Sequence, residues 1–313
     1  MPDAPDFSFV VPAYNEEASI EILAGEIHAA METIGGTYEI VWVDDGSSDG
    51  TTAAMKRTAE QAENVHIVRL GRNMGKSEAY TRGFARAAGR RVVTLDADLQ
   101  DDPAELPKLL AVMEEGFDLV VGRKLGRMGN EPRKKLVSYP FNLMLRVLFG
   151  LQLRDTNSGF RVMRREVAKS LELYGDLYRF IPQISHMNGF LVTECGVIHR
   201  KRTFGKSKYG VSRFWTGLLD LVTVAFLGLY VKKPLHFFAT LGAAFAVIGV
   251  SLELYVLISK LSGNTFQQHV AAIVIGAMLI TLSVQLFMSG VLADMLASQH
   301  RMIQDLRRTK KDQ

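Results

Sequence analysis

Tyr38-Glu39-Ile40-Val41-Trp42-Val43-Asp44-Asp45-Gly46-Ser47-Ser48-Asp49-Gly50-Thr51 reads in three steps: a β-rich apolar run, a carboxylate cluster with a glycine, and the opening of a helix that continues to about residue 62. The same order repeats on both sides of it. Before it, the strand 7–12 leads into Tyr14-Asn15-Glu16 and a helically spaced segment, 16–33. After it come a strand at 65–70, a helix at 77–88, and a strand at 91–95 that runs out into Asp96-Ala97-Asp98. A helix over 103–115 and a strand over 118–122 follow. This alternation, with near-continuous apolar strands, predicts an α/β fold with a mostly parallel sheet covered on both faces. Such sheets bind ligands beyond the carboxyl ends of their strands. All three polar clusters fall at those ends.

Composition sets the bounds. At 313 residues the chain holds more than one structural unit. Its mean hydropathy of +0.08 blends a charged α/β pattern, up to about residue 218, with long apolar stretches after it. The single cysteine, Cys195, cannot form an intrachain disulfide, which suits a reducing compartment and excludes a cysteine-based metal site. The acidic N-terminus leads directly into a strand, so no signal peptide is expected. The net charge of +4 is modest, and the basic residues gather near the apolar segments. That distribution suits anionic lipid, and no nucleic-acid partner is expected.

Two apolar runs, 235–258 and 270–292, are each long enough to cross a bilayer. Glu253 and Gln285 interrupt them and are expected to satisfy each other or a neighbouring subunit, which makes a homo-oligomer plausible. The link between the runs carries one lysine, whereas Arg307-Arg308-Thr309-Lys310-Lys311 lies beyond the second. By the positive-inside rule both flanks face the cytoplasm. Segment 211–230, with Phe214 and Trp215, reads as one or two helices lying along the membrane, or as a long core helix. The expected division is a cytoplasmic catalytic domain (1–210), juxtamembrane interfacial helices (211–233), a transmembrane hairpin (234–296) and a basic cytoplasmic tail (297–313).

The polar residues suggest chemistry. Asp96 and Asp98, two residues apart at a strand end, can present oxygen ligands to one hard divalent cation, which in turn can hold a diphosphate; a solvated turn is the bland alternative. Pro12, Tyr14 and Glu16 make a rigid turn with an aromatic face and a carboxylate near a nucleobase. Asp44 or Asp45 can accept hydrogen bonds from base or ribose, or the segment is simply a tight capped turn. Lys76 sits in a glycine-flanked loop where it can reach a phosphate or remain solvated. Asp101 and Asp102, before Pro103, read as helix caps. Arg123, Arg133 and Ser138, with Lys134 and Lys135 beside them, suit an anionic lipid phosphate, or 124–135 is simply a basic, mobile, glycine-containing loop. Arg202 and Lys206 belong to a second basic cluster just before the apolar runs, which also fits general attraction to anionic headgroups.

Val10-Val11-Pro12-Ala13-Tyr14-Asn15-Glu16-Glu17, the Asp44-to-Thr51 segment and Asp96-Ala97-Asp98-Leu99-Gln100-Asp101-Asp102-Pro103 together resemble family 2 glycosyltransferases. The last of these, with Asp155-Thr156-Asn157-Ser158-Gly159-Phe160-Arg161 and Gly205-Lys206-Ser207-Lys208-Tyr209, narrows the resemblance to the polyprenyl-phosphate glycosyltransferases. The resemblance covers roughly 7–209 and implies a GT-A nucleotide-sugar-binding domain. It implies Mg²⁺ or Mn²⁺ held principally by Asp98, with Asp96 contacting metal-bound water or ribose and Gln100 joining the metal site.

The implied reaction is inverting transfer of a hexose from a UDP- or GDP-linked sugar to a polyprenyl phosphate. A phosphomonoester has a second pKa of about 6 and is largely a dianion near neutrality, so it needs orientation more than deprotonation. Some family members carry an aspartate directly before Phe-Arg, where this chain has Gly159, which weakens the assignment of a base there. Asp155 is the carboxylate nearest in pattern, or a turn cap, and Arg161 can contact the diphosphate or the acceptor phosphate. Two other readings stand beside this one. A glycolipid synthase acting on a lipid hydroxyl would need Asp155 as a base, and a non-catalytic nucleotide-sugar-binding module would recruit partners to the membrane. A processive polysaccharide synthase is disfavoured, because Gln-x-x-Arg-Trp is absent.

Overall fold

The structure, a computed structural model, describes residues 4–125, 150–151, 153–155, 158–200, 234–263 and 266–309. By chain contacts it divides into Met1–Asp220 and Leu221–Gln313. In the first unit, β1 (Phe7–Ala13), α1 (Glu17–Ile34), β2 (Tyr38–Asp44), α2 (Thr51–Gln61), β3 (Val65–Arg69), α3 (Lys76–Arg86) and β4 (Arg91–Thr94) alternate as the sequence predicts. A 3₁₀ turn (Pro103–Glu105) opens α4 (Leu106–Glu114), followed by β5 (Leu119–Leu125), β6 (Arg161–Arg164), α5 (Arg165–Ser170), a second 3₁₀ turn (Leu177–Phe180), α6 (Ile181–Met187) and β7 (Val192–Ile198).

The seven strands lie in the order β3-β2-β1-β4-β6-β5-β7. All neighbouring pairs are parallel except those made by β6, which runs antiparallel to β4 and β5. β1 is buried along its whole length because both its faces are covered. Its odd-numbered residues Phe7, Phe9 and Val11 join Trp42, Val93 and Leu95 in one apolar cluster. Against this face α1 presents Ile20, Leu23, Ala24, Ile27 and Met31, the three- and four-residue spacing of one helical stripe. Met55 of α2 and Leu106, Leu109 and Leu110 of α4 complete it. On the opposite face α3 packs so closely that a Cβ on Gly83 would lie 2.4 Å from Cγ1 of Val10. Trp42 keeps its indole N–H satisfied by donating to Oγ1 of Thr58 at 3.1 Å.

Register sets the site. Ala13 pairs with Asp44, Asp44 with Arg69, and Val10 with Thr94, so the carboxyl ends of β1, β2, β3 and β4 open on one edge. Because β6 is antiparallel, it enters the sheet from that same edge. Asp102 caps the 3₁₀ turn as expected, accepting from the Ala104 N–H at 3.0 Å. Asp101 does not cap: it is buried beside His199, with which it forms an isolated bridge.

The second unit contains α7 (Pro234–Leu261), a 3₁₀ turn (Phe266–His269) and α8 (Val270–Thr309). Both helices are long and apolar enough to cross a bilayer, over Leu235–Leu261 and Val270–Gln299. At 1.5 Å per residue α8 is about 60 Å long, so the stretch 297–309, expected as a tail, is its helical continuation. Glycines bring the pair together: a Cβ on Gly249 would lie 2.9 Å from the carbonyl oxygen of Gly276, and one on Gly276 would lie 2.6 Å from Oε1 of Glu253. Glu253 therefore packs at the level of Gly276. Gln285 lies nine residues further along α8, about 13 Å by helical rise, so the two do not satisfy each other as the sequence suggested.

Candidate active site

Three turns build one cleft at the carboxyl edge of the sheet. The β1 turn and the β2 turn are stitched together first. Asn15 adopts a left-handed φ of +53°, its N–H donates to Oγ of Ser47 at 3.0 Å, and its Oδ1 accepts from the Ser48 N–H at 2.9 Å. The Glu16 N–H donates to Oγ1 of Thr51 at 2.9 Å. Asp44 and Asp45 then divide the work between them. Asp44 is fully buried, accepting from the Ser47 N–H at 2.8 Å and from the Thr52 hydroxyl, and so holds its own turn. Asp45 reaches across to the loop before α3, accepting from the Met74 N–H at 2.7 Å and the Gly75 N–H at 3.0 Å. Burial pushes its carboxyl above the ordinary range, with Asp44 and Glu78 adding to the rise against the two backbone donors.

The cleft these turns enclose has a volume of about 250 Å³ and is lined by Pro12, Ala13, Tyr14, Glu16, Asp45, Asn73, Gly75, Lys76, Asp96, Ala97 and Asp98. Seven expected site residues, Pro12, Tyr14, Glu16, Asp45, Lys76, Asp96 and Asp98, thus meet in one place, and Asn73 and Gly75 join them. Lys76, the first residue of α3, donates from Nζ to Oδ1 of Asp96 at 2.5 Å. Its ammonium lies 5.7 Å from the ring centre of Tyr80 and 5.2 Å from that of Tyr178. Burial opposes the lysine charge, but the adjoining Asp96 carboxylate outweighs it and holds Lys76 above its ordinary range. Burial likewise opposes the charge on Asp96, and Lys76, followed by Lys124 and Arg161, holds that carboxyl below its ordinary range. The pair's contribution is therefore present throughout the neutral range. It is lost only as pH falls through the depressed Asp96 value or rises through the raised Lys76 value.

The other expected residues sit elsewhere. Gln100 is off the cleft wall, its side-chain amide donating to the Arg200 carbonyl at 3.4 Å. Asp155 and Arg123 are both tied to Glu194 near the end of β5. Oδ2 of Asp155 accepts from the Lys124 N–H at 3.4 Å, and Arg123 lies 3.6 Å from Oε1 of Glu194 on β7. Oε2 of Glu194 accepts from the Arg154 and Asp155 N–H groups, so this glutamate, unremarked in the sequence, gathers the segment. Arg161 is only 1 % exposed and is not among the residues that line the cleft. Arg133, Ser138, Arg202 and Lys206 lie outside the described residues.

The carboxylate pair fits a hard divalent cation of limited demands. Among the described residues no group of three or more His, Cys, Asp or Glu side chains could hold a metal. Two carboxylates opening on a cleft match a cation that completes its shell with phosphate and water.

Residues 8–172, more than half the chain, match Glycosyl transferase family 2. The chain belongs to that family. This family 2 glycosyltransferase is 33 % identical over 297 residues to the dodecaprenyl-phosphate galacturonate synthase of Rhizobium johnstonii, covering 93 % of this chain and 88 % of that one. Coverage that large extends into the C-terminal helices. It is 34 % identical over 257 residues to the undecaprenyl-phosphate 4-deoxy-4-formamido-L-arabinose transferase of Salmonella paratyphi A, covering 82 % of this chain and 76 % of the relative. Among solved structures, mannosyl-3-phosphoglycerate synthase from Rubrobacter xylanophilus aligns with a TM-score of 0.57 at 20 % identity, over 71 % of this chain and 74 % of that one. Glucosyl-3-phosphoglycerate synthase from Mycobacterium tuberculosis, solved with Mn²⁺ and UDP-glucose, aligns with a TM-score of 0.56 at 22 % identity, over 71 % and 79 %. The transferase thus has the GT-A fold, as its motifs imply.

Proposed function

We propose that this glycosyltransferase moves a sugar from a nucleoside diphosphate sugar to a membrane polyprenyl phosphate, with inversion at the anomeric carbon. The observation that carries the acceptor is the alignment with a dodecaprenyl-phosphate sugar synthase over nearly the whole chain, apolar helices included. The donor side rests on the cleft. Tyr14 and Pro12 offer an apolar face to a base, Glu16 and Asp45 offer acceptors, and Lys76 offers a cation within reach of a diphosphate. Asp98, with Asp96 beside it, would hold Mg²⁺ or Mn²⁺, which when bound lowers the charge on the departing diphosphate. Gln100 would join through Oε1, since its bond to the Arg200 carbonyl uses Nε2.

In the reaction an oxygen of the lipid phosphate forms a bond to the anomeric carbon as the bond from that carbon to the diphosphate oxygen breaks on the opposite face. The acceptor dianion brings no proton to remove. Arg123 and Arg133, with Ser138, Arg202 and Lys206, are assigned to orienting the acceptor phosphate, and Asp155 to holding the segment that leads into β6.

The test is a donor-by-acceptor assay of the full chain in detergent: UDP- and GDP-sugars with undecaprenyl phosphate, with and without Mg²⁺ or Mn²⁺. Formation of one glycosyl phospholipid, lost on chelation, is the expected result. Intact donor binding with silence towards every polyprenyl phosphate would overturn the acceptor and favour a lipid hydroxyl or a binding module.

The helices are assigned to the cytoplasmic membrane as a two-span anchor, with the catalytic domain on the cytoplasmic side. A second copy is assigned to the Gln285 face of α8, where Thr281, Gln285 and Ser289 recur every four residues. Thr281 and Ser289 donate to carbonyls one turn earlier, whereas a carboxamide, both donor and acceptor, can pair with its own copy. Gln285→Leu is expected to shift cross-linked species towards the monomer; an unchanged ladder would remove this contact.

A further inference from the structure

One buried charge in the sheet is left largely unsatisfied. Arg161 makes one side-chain hydrogen bond, from Nη2 to the Tyr178 carbonyl at 3.4 Å, while its Nε and Nη1 have no partner. Among the described residues it forms no ion pair. Burying a guanidinium in this way is costly, and such groups are normally paired.

Its natural partner stands on the same face of the sheet. Thr94 pairs with Arg161 in the antiparallel ladder, and continuing that register by two places Asp96 opposite Gly159. Residues two apart share a face, so Arg161 is the diagonal neighbour of Asp96, a separation long side chains can span. Gly159 keeps the way open: a Cβ there would lie 2.4 Å from Oδ1 and 2.8 Å from Oδ2 of Asp96. The hydroxyls of Ser158, next to Gly159, and of Tyr80, on the helix that Lys76 begins, also lack hydrogen-bond partners. Asp96 is at present bound to Lys76 through Oδ1.

We propose that Arg161 is a positioning residue that takes over the Asp96 carboxylate when Lys76 leaves it for the diphosphate of the donor. The inference rests on the nucleotide-sugar reading of the cleft. In the empty site Lys76 neutralises Asp96 and is itself neutralised. A diphosphate competes for the lysine, and with a divalent cation held principally by Asp98, Asp96 loses the donor on its Oδ1 and needs another to stay fixed in its half-buried place. Arg161, preplaced behind the ladder, supplies it from groups that have no other use. A side chain at 159 would block the path between the two residues.

The test is nucleotide binding by calorimetry to the full chain in detergent, using UDP and GDP with Mn²⁺, for wild type, Arg161→Gln, Lys76→Ala and the double variant. Arg161→Gln is expected to weaken binding about tenfold where Lys76 is present. In the Lys76→Ala background the same change should cost about twofold or less, because Asp96 already rests on Arg161 before nucleotide arrives. An equal factor in both backgrounds, or an unchanged affinity with only a lowered melting temperature, would overturn the exchange and leave Arg161 a static support. Should Arg161→Gln not fold, Arg161→Lys, which keeps the charge but loses the guanidinium geometry, replaces it in the cycle, and the same coupling decides. Wild type that binds neither nucleotide would instead defeat the donor reading itself.

Discussion

Asp98→Ala is expected to lower sugar transfer by about a thousandfold or more while leaving the chain folded. The size of the effect follows from where the carboxylate sits. It lines the cleft two residues beyond Asp96, on a loop whose next residue, Leu99, is held at a φ of +60°. A non-glycine residue in that region is strained by about 1–3 kcal/mol, and such strain persists only where surrounding structure demands it. The Gln100 N–H donates to Oδ1 of Asp98 at 3.2 Å, which fixes the carboxylate in its turn. Removing it deletes a negative group facing the diphosphate but no core packing, so the apparent melting temperature should change little. Asp98→Asn separates charge from shape: it keeps the turn contact and should be nearly as inactive. Full activity in Asp98→Ala, measured under the donor-by-acceptor conditions above, would show that departure of the diphosphate needs no carboxylate-held cation at this position.

Much of this site was legible because parallel strands buried on both faces are apolar runs, and their ends are marked where polarity returns. Tyr38 to Val43 and Arg91 to Leu95 are such runs, and the clusters after them lie on one sheet edge as the topology requires. Local pattern also found α1, whose stripe at 20, 23, 24, 27 and 31 has one burying face. It did not find β6. Arg161-Val162-Met163-Arg164 is four residues long with a charge at each end, and its insertion between β4 and β5 is a non-local pairing that no local signal encodes. β7 was missed for a related reason: Val192–Ile198 contains Glu194 and Gly196 and is only half-buried. Missing β6 hid the rest. Without that strand nothing places Gly159 against Asp96 or buries Arg161, and Arg161 reads as an ordinary phosphate ligand. Tyr178, about a hundred residues from Lys76, could be brought to it only by the fold. Asp44 and Asp45 were equivalent in the sequence; the turn separates them, one inward and one across the cleft.

Gly46→Ala is expected to destabilise the catalytic unit by on the order of 3 kcal/mol and to weaken nucleotide binding in the same variant. Gly46 has a φ of +71°, where an L side chain is strained. A Cβ there would meet the carbonyl carbon of Arg72 at 2.3 Å and the nitrogen of Asn73 at 2.6 Å, both backbone atoms with nowhere to swing. The contact is tight for a reason visible on either side of it. Asp44 supplies its carbonyl to the Leu70 N–H at 2.9 Å, and Asp45 grips the Met74 and Gly75 N–H groups. The β2 turn is thus bolted to the loop that delivers Asn73, Gly75 and Lys76 to the cleft. Forcing them apart by the width of a methyl group lengthens the Asp45 hydrogen bonds and draws Lys76 away from Asp96. At about 2–4 °C per kcal/mol for a unit of this size, the apparent melting temperature should fall by about 10 °C. Gly71→Ala is the matched control, because a Cβ on Gly71 meets nothing within 4 Å. Equal melting temperatures for the two variants would mean that the turn and the loop are not locked as their geometry requires. A loss of stability with unchanged nucleotide affinity would mean that the lock holds the fold but does not set the position of Lys76.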